Sequence, residues 1–135
     1  MRGAAGNFYA DADHAQHELR DAVTDRTRLV LLCSPNNPTG WTVTVDEQKA
    51  ILAHCRRHGI WIFADDAYER LYYGEEGTAP SFLNMSSDED RIISANTFSK
   101  SWLMTGWRLG WLVVPPGLTA DLGKLIEYNT SCAPV

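Results

Sequence analysis

The chain of 135 residues is short of cysteine, of basic residues, of repeats and of long apolar runs, and each shortage closes off a class of protein. Its three cysteines, Cys33, Cys55 and Cys132, are odd in number and widely scattered. That pattern fits neither a disulfide framework nor a zinc site, and it makes a reducing, cytoplasmic setting the expectation. No apolar run reaches the roughly 18 residues of a membrane helix. The opening segment Met1–Asn7 has one charge and no apolar stretch behind it, so no signal peptide is expected. Twelve Lys and Arg face seventeen Asp and Glu, a net charge of −5. An acidic balance argues against a nucleic-acid or anionic-membrane surface. The 44% hydrophobic content is too high for a disordered chain and enough to bury a core.

The chain reads as one continuous piece without linkers. Asp13 to Val23, with Leu19, Ala22 and Val23 spaced along it, predicts an amphipathic helix. Arg28–Cys33 is a short apolar run cut off by Ser34-Pro35-Asn36-Asn37-Pro38-Thr39-Gly40, which predicts a buried strand feeding a loop. Thr44 followed three residues on by Glu47 is a capping box. The helix it opens turns Ile51, Leu52 and Cys55 inward and ends near Gly59. Ile60–Ala64 predicts a second strand ending on Asp65-Asp66. Arg91–Ala95 predicts a third before a polar turn Asn96–Lys100, and Arg108–Val114 a fourth, closed by Pro115-Pro116. Leu118 to Tyr128 reads as a helix with Leu122, Leu125 and Ile126 on one face. Apolar runs that do not alternate, with a helix between them, indicate an α/β layered domain with a mostly parallel sheet.

In an open α/β sheet, ligands bind at the carboxyl ends of the strands. The residues just past the apolar runs are Asn37, then Asp65 and Tyr68, then Thr97, Ser99 and Lys100, with Arg108 eight residues beyond. An amide, a carboxylate, a phenol, two hydroxyls and an amine would converge on one edge if the strands are neighbours. In these segments the chain resembles the class I/II, fold type I, aminotransferases. The Asn-Pro-Thr-Gly loop matches Asn37–Gly40 and the Asp-x-x-Tyr motif matches Asp65–Tyr68. The lysine motif matches Thr97-Phe98-Ser99-Lys100-Ser101, and the arginine motif matches Met104–Trp111. Four motifs stand in the family's order over nearly the whole chain, from about Phe8 onward.

The resemblance implies pyridoxal 5′-phosphate as cofactor and a three-layer α/β/α fold with a mostly parallel sheet, part of the aminotransferase large domain. It assigns Lys100 the Schiff base with the cofactor and the proton transfer that follows, tasks that suit a desolvated amine. Asp65 would pair with the pyridinium nitrogen and keep the ring able to accept electrons. Asp66 is the rival acid, and the spacing to Tyr68 selects Asp65. Asn37 and Tyr68 would hydrogen-bond the ring oxygen. Arg108 would clamp the phosphate, helped by Thr97 and by Ser99. Lys100, Asp65 and Tyr68 are thus the expected catalytic residues, and Asn37, Thr97 and Arg108 complete the cofactor set.

No metal site is expected: His54 and His58 stand one turn apart, but with Arg56 and Arg57 beside them they read as a solvated helical face. Members of the family are much longer than this chain. Residues 1–135 are therefore expected to be a partial cofactor-binding domain, without the N-terminal segment and the C-terminal small domain. A cut sheet should also expose apolar edges and faces. The implied function is transfer of an amino group from an amino acid to a 2-oxo acid, in a homodimer when full-length. Two alternatives stay open: a related pyridoxal-phosphate β-lyase or decarboxylase, and a catalytically incompetent remnant.

Overall fold

A computed structural model describes residue 19 and residues 21–132. The helix expected over Asp13–Val23 lies for the most part outside the described residues. The remaining elements run β1 (Leu29–Cys33), α1 (Val45–His58), β2 (Trp61–Asp65), a 3₁₀ turn (Phe82–Asn84), β3 (Ile92–Thr97), a second 3₁₀ turn (Thr105–Trp107), β4 (Gly110–Val113) and α2 (Pro116–Asn129). The four strands form one sheet in the order β1-β2-β3-β4. β1–β2 and β2–β3 are parallel and β3–β4 is antiparallel, so the sheet is mostly parallel, as the apolar runs predict.

The local chemistry at the ends of α1 explains its limits. The Thr44 hydroxyl accepts from the Glu47 backbone N–H at 3.3 Å, and Glu47 Oε2 accepts from the Thr44 backbone N–H at 2.6 Å. Two of the otherwise unpaired donors of the first turn are satisfied in this way. At the other end Gly59 is left-handed at φ 63°, a conformation glycine adopts without a side-chain penalty. Ile51, Leu52 and Cys55 pack from α1 onto Val30, Ile62, Ala64 and Ile92, alternate residues that share one face of the sheet. Each buried Val, Leu or Ile side chain among them contributes about 1.5–3 kcal/mol. The opposite face and the outer strands expose apolar groups, among them Leu29, Leu31, Leu112 and Val113. Leu125 and Ile126 of α2 are exposed as well.

Two strand limits differ from the sequence reading by two residues, the others by one at most. β3 does not stop at Ala95 but runs through Asn96 and Thr97, because pairing with β4 at Asn96↔Trp111 and Thr97↔Gly110 extends it. β4 starts at Gly110 and not at Arg108. Arg108 sits in a left-handed conformation, φ 53°, which directs the chain out of the 3₁₀ turn and cannot continue into a strand.

Candidate active site at the strand ends

The parallel register sets the strand ends level: Cys33 pairs with Asp65, and Asp65 pairs with Ala95. β3 reaches two residues further, carrying Thr97 and the following turn past the edge of the sheet. Asn37 sits in the loop after β1, which holds two cis peptide bonds, Ser34–Pro35 and Asn37–Pro38. Asp65 closes β2, on the face opposite α1 by strand alternation, and Tyr68 follows in the next turn.

Side chains far apart in sequence meet here. Asn37 Nδ2 donates to the Tyr68 hydroxyl at 3.0 Å, across 31 residues of chain. Lys100 Nζ lies 5.6 Å from the centre of the Tyr68 ring, within cation–π range. Amide, phenol and amine thus form one group. Asp65 Oδ1 accepts from the Ala67 backbone N–H at 3.2 Å, which fixes its carboxylate at the end of the strand. The neighbouring Cys33 thiol is pushed up from its ordinary value by burial. The Asp65 charge and a hydrogen bond to that carboxylate add to the shift, against a backbone hydrogen bond from Asn37.

The turn carrying Lys100 is held from several sides. Thr97 Oγ1 donates to the Leu109 carbonyl at 3.2 Å and accepts from the Ser99 N–H at 3.1 Å. Phe98 N donates to the Leu109 carbonyl at 3.1 Å, so the turn is fastened to the segment entering β4. The Phe98 ring packs on Trp102 and Trp111 at centroid distances of 5.2 and 4.9 Å. Such aromatic pairs contribute about 0.5–1.5 kcal/mol beyond area burial. Lys100 itself is exposed and Ser99 is buried. Arg108 stands apart: its guanidinium donates to the Thr105 carbonyl at 3.0 Å, and among the described residues no hydrogen bond joins it to Thr97, Ser99 or Lys100.

Asp66, the rival acid, turns to the other face. It is buried at 5% exposure, and Ser94 Oγ donates to its Oδ2 at 2.6 Å. Asn96 Nδ2 in turn donates to Ser94 Oγ at 2.9 Å. Burial pushes the Asp66 carboxyl up to about 6. The Ser94 hydrogen bond opposes this, and the charges of Glu69 and Asp65 add to it. Sequence reasoning missed this chain of polar groups. The signal available was the two-residue period of Ile62, Ala64 and Asp66 beside Ile92, Ser94 and Asn96, which aligns polar residues with a buried face.

A mostly parallel α/β sheet with an amine, a carboxylate, a phenol and an amide at its carboxyl edge carries polar side chains where open α/β domains bind ligands. Its kinship is specific. The sequence profile of the family "Aminotransferase class I and II" matches residues 3–135, and the chain belongs to that family. A putative aminotransferase, YugH, of Bacillus subtilis is 37% identical over 113 residues, covering 84% of this chain and 29% of that protein. An aspartate aminotransferase of Musicola paradisiaca is 37% identical over 117 residues, covering 85% of this chain and 28% of that protein. The crystal structure of an aromatic aminotransferase from Pyrococcus horikoshii superposes with a TM-score of 0.80 at 32% identity, covering 93% of this chain and 32% of that one. The chain thus spans less than a third of the length of these relatives. Within that length it has the aminotransferase fold.

Proposed function

We propose that residues 1–135 form part of the cofactor-binding large domain of a pyridoxal-phosphate-dependent aminotransferase, which moves an amino group from an amino acid to a 2-oxo acid. The observation that carries this reading is the contact of Asn37 with Tyr68 at 3.0 Å beneath the amine of Lys100, three family motifs joined in space. The donor set fits the cofactor: an amine for its carbonyl, a carboxylate for its basic ring nitrogen, and an amide and a phenol for its ring oxygen. When bound, pyridoxal phosphate supplies an electrophilic carbonyl and a protonated ring that withdraws electrons from the substrate.

Each residue has a task set by its place. Lys100, exposed on a turn braced by Phe98, Trp102 and Trp111, would hold the cofactor's carbonyl carbon and carry a proton at Nζ. Asp65, fixed by the Ala67 N–H, would accept from the ring nitrogen. Tyr68 and Asn37 would donate to the ring oxygen as a pair. Thr97 orients the Ser99 N–H, and Arg108, whose guanidinium donates to the Thr105 carbonyl, would pair with the phosphate. A homodimer of the full-length chain is part of this proposal, and the three free cysteines support a cytoplasmic setting. No helix among the described residues is long and apolar enough to cross a membrane. The relatives, an aspartate aminotransferase and an arginine–pyruvate transaminase among them, favour transfer over lyase chemistry.

The test is direct. Pyridoxal phosphate is added to the chain, the visible band is recorded, and the product is trapped with borohydride and mapped by mass spectrometry. Label on Lys100, lost in Lys100→Ala, is the expected outcome. Label spread over Lys49 and Lys124, the other two lysines, would refute the assignment.

A further inference from the structure

The hydrogen-bonded run Asp66–Ser94–Asn96 lies outside the set just assigned, on the covered face of the sheet. Ser94 is fully buried and Asp66 nearly so. The Asp66 backbone N–H also donates to the Ala95 carbonyl at 2.9 Å, so one residue ties the end of β2 to β3 twice, through main chain and side chain. On the other side, the Ser34 N–H donates to the Asp65 carbonyl at 3.2 Å. Asp65 is therefore clamped between β1 and a polar latch on β3, and Lys100 follows four residues after Asn96 at the end of that latch.

We propose that Asp66 is a positioning residue, which fixes the end of β2 against β3 through Ser94 and so sets Asp65 relative to Lys100 on the opposite face. This rests on the reading of Asp65 and Lys100 as the cofactor's partners. A latch of purely mechanical purpose would be served by an asparagine, which avoids burying a charge. A carboxylate adds polarity. While ionised, it accepts a hydrogen bond from the Ser94 hydroxyl, and Ser94 in turn accepts from Asn96. Once protonated, it becomes a donor itself and the direction of the run is lost. The charges that act on it are those of Glu69 and Asp65 on its own segment, and its own charge acts in turn on the Cys33 thiol of β1, while β3 presents the neutral Ser94 and Asn96. Its raised ionisation range, near 6, puts the change of direction within reach of ordinary buffers.

The experiment follows the cofactor-free chain by NMR from pH 4.5 to 8, observing the Asn37 side-chain amide, the Asp65 carboxyl carbon and the Lys100 ε-carbon. Cofactor affinity is measured in parallel from the visible band. In the wild type the Asp65 and Lys100 signals are expected to move with a common midpoint near 6. Asp66→Asn keeps an acceptor for Ser94 and is expected to abolish that midpoint without lowering the unfolding midpoint. Ser94→Ala is expected to weaken cofactor binding about tenfold through misplacement, and Ser94→Thr, which restores the hydroxyl, to recover most of it. Signals that ignore the pH range around 6, or an Asp66→Asn chain with the wild-type titration, would overturn the proposal. Failure of the wild type to label at Lys100 would refute the functional reading alone, since the cofactor-free titration decides the latch by itself.

Discussion

Gly110 is the point at which the Lys100 turn is most sensitive to a single added carbon. A Cβ at this position would lie 2.4 Å from the Asn96 carbonyl oxygen and 3.5 Å from the Thr97 Cα, both backbone atoms that cannot rotate away. Relief requires β4 to retreat from β3 by most of an ångström. The Thr97 hydroxyl and the Phe98 N–H both hold the Leu109 carbonyl, so the retreat pulls on the turn that presents Lys100. Overpacking of this kind costs about 1–3 kcal/mol. With a urea slope of about 2 kcal/mol/M, that is a fall of about 0.5–1.5 M in the unfolding midpoint of Gly110→Ala. Gly123→Ala is the control: it lies in α2 with nothing within 4 Å of the new carbon, and helix propensity favours alanine there by about 1 kcal/mol. The assay is urea unfolding followed by far-ultraviolet circular dichroism on both variants. Equal midpoints for Gly110→Ala and Gly123→Ala would refute the close approach of β4 to β3.

Thr44→Ala removes the hydroxyl half of the α1 capping box and is expected to cost about 1 kcal/mol, read as a lower thermal midpoint. Asp90, held by Arg56 through two 2.6 Å hydrogen bonds, is lowered to about 2 from an ordinary value of 3.8. Its contribution is complete above 3.8 and is lost as pH falls towards 2. Because the Arg56 side chain is half exposed, we set it at about 1 kcal/mol. Asp90→Asn should flatten acid unfolding in that window. Asp66 has the opposite sign: its carboxyl is raised to about 6, so the folded state holds the proton more tightly and stability declines as pH rises from 3.8 to 6. Asp66→Asn is expected to gain about 1–3 kcal/mol at pH 7, measured by urea unfolding at pH 4 and 7. Tyr68→Phe removes the acceptor of Asn37 and, being partly exposed, should cost less than about 1 kcal/mol of stability, while weakening cofactor binding severalfold in a visible-band titration.

Much of the architecture was legible because its signals are local. Thr44, Glu47 and Gly59 mark both ends of α1, and Ile51, Leu52 and Cys55 are the residues that it buries. The limits of β3 and β4 were less so. Asn96 and Thr97 are polar and read as turn, yet pairing with Trp111 and Gly110 makes them strand, a tertiary effect that no local pattern carries. At the strand ends, the motif order points to Asn37, Asp65, Tyr68 and Lys100, and three of these, Asn37, Tyr68 and Lys100, lie side by side. The side chain of Arg108, by contrast, bonds its own turn, and a motif does not carry the direction of a guanidinium on a flexible stem. In the sequence Asp66 stands out only as a competitor for Asp65, because adjacent residues of a strand look alike in sequence and face opposite ways in space.

The crossover that joins β1 to β2 has a kinetic consequence. Asn37, Asp65 and Tyr68 all belong to the single unit β1–α1–β2, whereas Lys100 arrives with β3. Closing one strand–helix–strand loop is therefore sufficient to create the amide–phenol couple, and its entropic cost is separate from that of docking the next strand. A chain still emerging in order from its amino end would complete the amide–phenol couple before the amine exists beside it. The amine is thus the last of these groups to be installed, onto a surface already shaped to receive it.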